Sequence, residues 1–155
     1  MSEPSAANFI LGMNCKLYRC ATLLDATNTP AAATWIEVDN VKDVNLQQEN
    51  GEADITTRAN NGWRATAATL KEATIEFEMV WKPSDAAFTA ILNAWLNATE
   101  IALVALDGAE DAAGSQGLAS NFSVTSFTRN EPLEEAVTVS VTLKPSSIID
   151  WYTVA

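Results

Sequence analysis

A chain of 155 residues, 48% of them hydrophobic, has single-domain length and enough apolar material for an ordinary core, which argues against global disorder. Its 9 basic and 20 acidic residues leave a net charge of −11, and a surface of that sign repels phosphate and disfavours tight binding to a nucleic-acid backbone. Histidine is absent, which removes His-based zinc sites, the commonest general base and the Ser-His and Cys-His nucleophile pairs, so no enzyme, metal or cofactor is expected.

The five residues Met1 to Ser5 lack a basic segment followed by an apolar one, so no signal peptide is expected and synthesis in a cytoplasm is. No apolar run approaches the roughly 20 residues that span a bilayer. The longest, Ile101 to Leu106, is strand-sized, so no membrane association is expected. The first strand-like run is Asn8 to Cys20, weakened at Gly12. Within it Cys15 and Cys20 lie five apart. On a flat strand that odd spacing turns them to opposite faces, so two buried or half-buried free thiols are expected rather than a disulfide.

Ala21 to Thr34 reads as a loop around Asn28-Thr29-Pro30, followed by strand-like runs at Trp35 to Val38 and Val41 to Leu46. Gln47 to Ala68 is polar, is broken at Asn50-Gly51 and Asn61-Gly62, and buries little of its own. A loop of that length in a compact domain is uncommon and is usually functional or ordered by a partner. Two readings stand side by side. One is a floppy hairpin with solvated charges. The other is an arm that docks on a neighbouring subunit, with Ile55 and Trp63 as apolar anchors and Arg58 and Arg64 paired across the contact, next to Glu52 and Asp54.

Leu70 to Trp81 is the clearest strand, since Ile75, Phe77, Met79 and Trp81 alternate with Thr74, Glu76, Glu78 and Val80. Glu76 and Glu78, same-face neighbours about 7 Å apart, have the spacing of an acid/base pair, but a solvated strand face carries such residues routinely and is the preferred reading. After Lys82-Pro83, Ser84 or Asp85 can cap a helix over Ala86 to Ala98, with Phe88, Ile91, Leu92 and Trp95 as one apolar stripe for packing on a sheet. Glu100 to Leu106 is a buried strand, and 109–117 a flexible loop. Ala119 to Arg129 and Ala136 to Lys144 form two further strands joined by the turn Asn130 to Glu135. The last segment, 145–155, is apolar for a terminus: Ile148, Ile149, Trp151 and Tyr152 need a cover, either the chain's own sheet or a neighbour.

Three stretches resemble the major tail proteins, or tail tube proteins, of long non-contractile-tailed phages: GEADITTRANNGW at 51–63, TLKEATIEFEMVWKPSDAAFTAILNAW at 69–95, and FSVTSFTRNEPLEEAVTVSVTLKPS at 122–146. Their order and spacing carry the likeness, because each alone is short and degenerate. The resemblance implies a mainly β fold, a β-sandwich or split barrel with one flanking α-helix and a long extended loop, as a single tail-tube domain over 1–155. It implies six-fold rings stacked into a tube, strands of neighbours joined into one lumen-lining barrel, and an inter-subunit arm at 47–68. It also implies tape measure and tail-tip or terminator proteins as partners, DNA passing without adhesion, and a place in the virion tail. With DNA in the lumen, Asp43, Glu76 and Glu78 become candidate lumen-facing acids, and Ile148, Ile149, Trp151 and Tyr152 candidate docking residues. Two alternatives remain open: the inner tube of a contractile machine (contractile phage tail, tailocin or type VI-like), and a monomeric β-sandwich binding module with Trp35, Trp63 and Trp81 as a sugar platform.

Overall fold

A computed structural model describes residues 10–155. The reading of Met1 to Ser5, and Asn8 and Phe9 of the first strand-like run, lie outside the described residues. The elements are β1 (Lys16–Cys20), β2 (Trp35–Glu37), β3 (Val41–Asp54), β4 (Thr66–Val80), α1 (Ala86–Leu96), β5 (Glu100–Leu106), β6 (Gln116–Asn130) and β7 (Thr138–Thr153). The strands form one seven-stranded sheet in the order β2-β1-β5-β6-β7-β4-β3, with every pairing antiparallel. None of the described helices is long and apolar enough to cross a membrane.

One face of this sheet carries the main core. Leu17 of β1, Ile101 and Leu103 of β5, Phe122 of β6, Val139, Val141 and Leu143 of β7, and Ile75, Phe77 and Met79 of β4 are buried there against α1. Each such side chain contributes about 1.5–3 kcal/mol by leaving water. The alternation read from β4 is therefore the pattern that holds the helix. Asp85 is the N-cap: its carboxylate accepts from the Phe88 amide at 3.0 Å, satisfying one of the free donors of the first turn.

The helix packs on a different stripe from the one its large residues indicate. Ala87, Phe88, Ile91 and Ala94 are buried, Leu92 is half-buried and Trp95 is exposed. Small alanines let the helix axis approach the sheet. Trp95 instead lies along the helix flank, stacked on Phe127 of β6 with ring centroids 6.4 Å apart. Phe88 meets Trp81 edge-on at 4.8 Å, and Arg129 lies 4.9 Å over the Trp81 ring.

A second cluster occupies the opposite face, where Tyr18, Cys20, Ala102, Val104, Leu106, Ala119 and Val154 are covered by Leu24 and Trp35. It extends over β1, β5 and the start of β6, and does not reach β3, β4 or the first half of β7. Close approach of β5 and β6 requires Gly117, because a Cβ there would collide with the Ala105 carbonyl oxygen.

The cysteines are both free, with Cys20 buried and Cys15 exposed. The expectation of two covered thiols fails at Cys15 because β1 begins only at Lys16, and a short 3-10 turn, Gly12–Asn14, precedes it.

Candidate assembly surfaces

The segment 47–68, read as a loop, is mostly strand. β3 and β4 pair from Val41↔Met79 out to Asp54↔Thr66, whereas β7 supports β4 only from Val80 to Ile75. Beyond that support the two strands run on as a ribbon. From Gln47 to Asp54 its length is about 27 Å at the usual strand rise. Both sides of the ribbon are solvated, so no alternation marks it in the sequence.

Residues 55–65 form the tip, ordered almost entirely by backbone and short polar side chains. The Ile55 amide donates to the Ala65 carbonyl at 3.0 Å, and the Thr56 amide donates to Asp54 Oδ1 at 2.9 Å. The Thr57 amide donates to Asn60 Oδ1 at 2.7 Å. Asn61 and Gly62 take positive φ, which Asn and Gly tolerate best and which turns the chain back. The Thr56 hydroxyl and amide hold the Asp54 carboxyl below its ordinary value.

This framing presents apolar side chains to solvent. Trp63 is 79% exposed, Leu70 81% and Ile55 55%. Among the described residues Arg58 and Arg64 form no ion pair; those found join Lys16 to Glu37 and Arg129 to Glu131. The structure therefore gathers Asp54, Ile55, Arg58, Trp63 and Arg64 at the tip and puts Glu52 just below it, opposite Ala68.

Glu76 and Glu78 lie on the face of β4 turned away from α1. Across the sheet, Asn45, Glu76, Thr142 and Ser126 stand in one row, and Lys42, Glu78, Ser140 and Thr128 in the next. No core cluster covers these rows. Asp43 is set apart from them, in a bulge between Lys42 and Asn45 with φ of 46°. It lines a cleft of about 820 Å³ between the start of β1 and the start of β3.

The segment 145–155 continues β7 along β6, with Ser147↔Asn121, Trp151↔Leu118 and Tyr152↔Gly117. Its backbone is thus covered by the chain's own sheet. Ile148, Ile149 and Trp151 remain exposed, while Tyr152 is half-buried against the second cluster. The Trp151 indole donates to Gln116 Oε1 at 3.0 Å.

Two features that sequence patterning did not single out are strand edges. Among the described residues no strand pairs with the outer edge of β3, and none pairs with β6 over Val124–Asn130 on the side away from β7, because β5 reaches only to Ser123. These are the two opposite margins of the four long strands β6-β7-β4-β3. The tryptophans, by contrast, are scattered: Trp35 is buried, Trp63 is at the arm tip and Trp81 is packed on Phe88, so they form no common platform.

The profile of the phage tail tube protein family matches residues 21–148. No curated protein sequence matches the chain. The fold is similar to that of the tail of an empty gene transfer agent particle refined with C6 symmetry (TM-score 0.71, 12% identity, 92% of this chain and 98% of that one). It is similar to the SPP1 tail tube (TM-score 0.70, 16% identity, 94% and 80%) and to the anti-feeding prophage baseplate (TM-score 0.64, 10% identity, 99% of both). A mainly β sheet with a flanking helix is the fold that this chain shares with these structures. The chain belongs to the phage tail tube protein family and is a structural subunit of the virion tail.

Proposed function

We propose that identical copies close into a ring by joining the outer edge of β3 in one to the Val124–Asn130 edge of β6 in the next, and that rings stack through the 55–65 arm tip. The single observation that carries this is the pair of unpartnered edges on opposite margins of one four-stranded sheet. Such edges are heterologous: a rotation that closes gives a ring, and an added rise gives a filament. The C6 symmetry of the gene transfer agent tail supports six copies. Six copies of four strands give 24 strands, hence a circumference of about 115 Å and a backbone diameter of about 37 Å, larger once the strands tilt.

With α1 outside, the bare face of β3-β4-β7-β6 lines that lumen, and Glu76 and Glu78 are lumen-facing. Asp43 belongs to the cleft instead. Six copies of −11 give −66 per ring, and a wall of this sign lets DNA pass without retaining it. No catalysis is assigned. Ile148, Ile149 and Trp151 are docking residues for a neighbouring copy, with Tyr152 holding the strand that presents them. A tape measure protein in the lumen and terminator or tip proteins at the ends complete the tail, which assembles in the host cytoplasm.

A second reading keeps the tube and changes the machine. Similarity to the contractile-system sheath-tube complex, TM-score 0.60 over 99% of both chains, favours an inner tube within a sheath. Electron microscopy of tails made with this protein separates the two by the presence of a sheath layer. For the main proposal, concentrated purified protein is examined by negative stain and sedimentation. Tubes of constant diameter are expected, and removal of 55–65 should leave rings that do not stack. A species that stays monomeric at every concentration overturns the reading.

A further inference from the structure

The cleft between β1 and β3 has an accessible aliphatic floor of exposed Val44 and half-buried Val41 and Leu46, over the buried Leu17 and Val38. Its rim carries Glu37, Asp39, Asp43 and Asp107 against Lys16 and Lys42, so four acids less two bases give −2. Lys16 is already held by Glu37 at 3.3 Å, which leaves the three aspartates in excess over Lys42. The arm tip has the opposite character. Arg58 and Arg64 stand there with Asp54 at their base, a net of +1 over 54–65 in a chain of −11. Trp63 lies between those arginines in sequence and is 79% exposed.

Cleft and tip also lie at opposite ends of β3, about 35 Å apart along the strand. A donor at one end and a receptor at the other make a head-to-tail contact that repeats without limit. We infer that the β1–β3 cleft is the receptor for the arm tip of another copy of this chain. Trp63 seats on the aliphatic floor, and Arg58 and Arg64 face Asp39 and Asp43. Tryptophan and arginine are the side chains that most often dominate interfaces, and an aspartate rim supplies planar acceptors for guanidinium. The inference rests on the arm being the bridge between rings, and it adds the surface on which the bridge lands.

Cys15 lines the cleft and is exposed, whereas Cys20 is buried, so the chain carries one native reporter there. Ala59→Cys adds a thiol at the solvated tip. Tubes of this variant, treated with a short bismaleimide, should give a ladder of covalent multiples that Cys15→Ser abolishes. Maleimide labelling of Cys15 in the native protein should be fast in monomers and at least about tenfold slower in tubes. Arg58→Glu with Arg64→Glu should stop stacking, and Asp39→Arg with Asp43→Arg in the same chain should restore it. Tubes in which Cys15 labels as fast as in monomers, without a ladder, overturn the cleft assignment and leave the arm reading intact. Protection of Cys15 already in monomers assigns the cleft to the chain's own segments and overturns it equally. Stacked tubes that form without residues 55–65 overturn both.

Discussion

Asn121 and Leu24, 97 residues apart, exchange a reciprocal pair of hydrogen bonds: the Leu24 amide donates to Asn121 Oδ1 at 2.8 Å, and Asn121 Nδ2 donates to the Leu24 carbonyl at 2.9 Å. One buried side chain thus stands in for a strand partner, pinning the 21–34 loop over the second core cluster. The same Nδ2 donates to Ser147 Oγ at 3.1 Å, which ties the loop to β7.

Asn121→Leu would keep the volume and leave the Leu24 amide and carbonyl unpaired in a dry site. Each of the two orphaned groups costs about 1–3 kcal/mol, so a loss of roughly 2–6 kcal/mol is expected. For a chain of this size that is a fall of about 4–24 °C in Tm. Thermal denaturation by circular dichroism measures it, and a change under about 2 °C would mean the loop is held by packing alone.

Acid should loosen the arm tip selectively. The Thr56 hydroxyl and amide stabilise ionised Asp54 and hold its carboxyl below the ordinary aspartate value of 3.8. For a depressed carboxylate the folded turn gains stability that is present above 3.8 and lost as pH falls from there through the folded value. The contribution of Asp54 to the tip should therefore be complete throughout the neutral range and be lost only in acid. An NMR titration should place Asp54 below an exposed aspartate, and Thr56→Ala should raise it towards the ordinary value. An Asp54 midpoint unmoved by Thr56→Ala would reject the turn as its cause.

Much of this architecture is legible in the sequence wherever one side of a strand is buried. β5 runs from Glu100 to Leu106, the bounds its apolar run gives, and the alternation of Ile75, Phe77 and Met79 names the face that meets the helix. The signal fails where burial is absent. From Gln47 to Asp54 and from Thr66 to Thr74 almost every position faces water, so strands held by backbone ladders alone look like loop. It fails too at Pro145-Ser146-Ser147, a turn-like tripeptide inside β7. There the pairing with β6 shifts register around Asn121, so the missing proline N–H falls in an irregular stretch of the ladder. Strand edges leave no mark in composition, which is why the two open margins emerge only from topology.

Charge on the bare face should govern how DNA behaves in the tube. Glu76→Lys with Glu78→Lys changes solvated positions with no salt bridge among the described residues, so monomer stability should move by less than about 0.5 kcal/mol. A ring of six would gain 24 units of positive charge, from six copies of a change of +4. Tubes of the double variant should bind duplex DNA at low salt and release it steeply as salt rises, whereas native tubes bind none. Particles carrying the variant should eject slowly or incompletely. If ejection kinetics and DNA retention both match the native protein, Glu76 and Glu78 are on the outside.

The two strand margins give the last and most direct prediction. In a monomer the outward amides of β3 from Val41 to Asp54, and those of β6 from Val124 to Asn130, have no strand partner among the described residues and should exchange with solvent quickly. Amides directed inward to β4 and β7 are already paired and exchange slowly. Ring closure adds a ladder at both margins at once. Hydrogen–deuterium exchange should therefore slow by at least about a hundredfold at both edges on assembly, corresponding to roughly 2.7 kcal/mol or more of added protection. The two must change together, because each edge is the other's partner in the next copy. Protection at β3 without β6, or the reverse, would show that the ring is joined by some other surface.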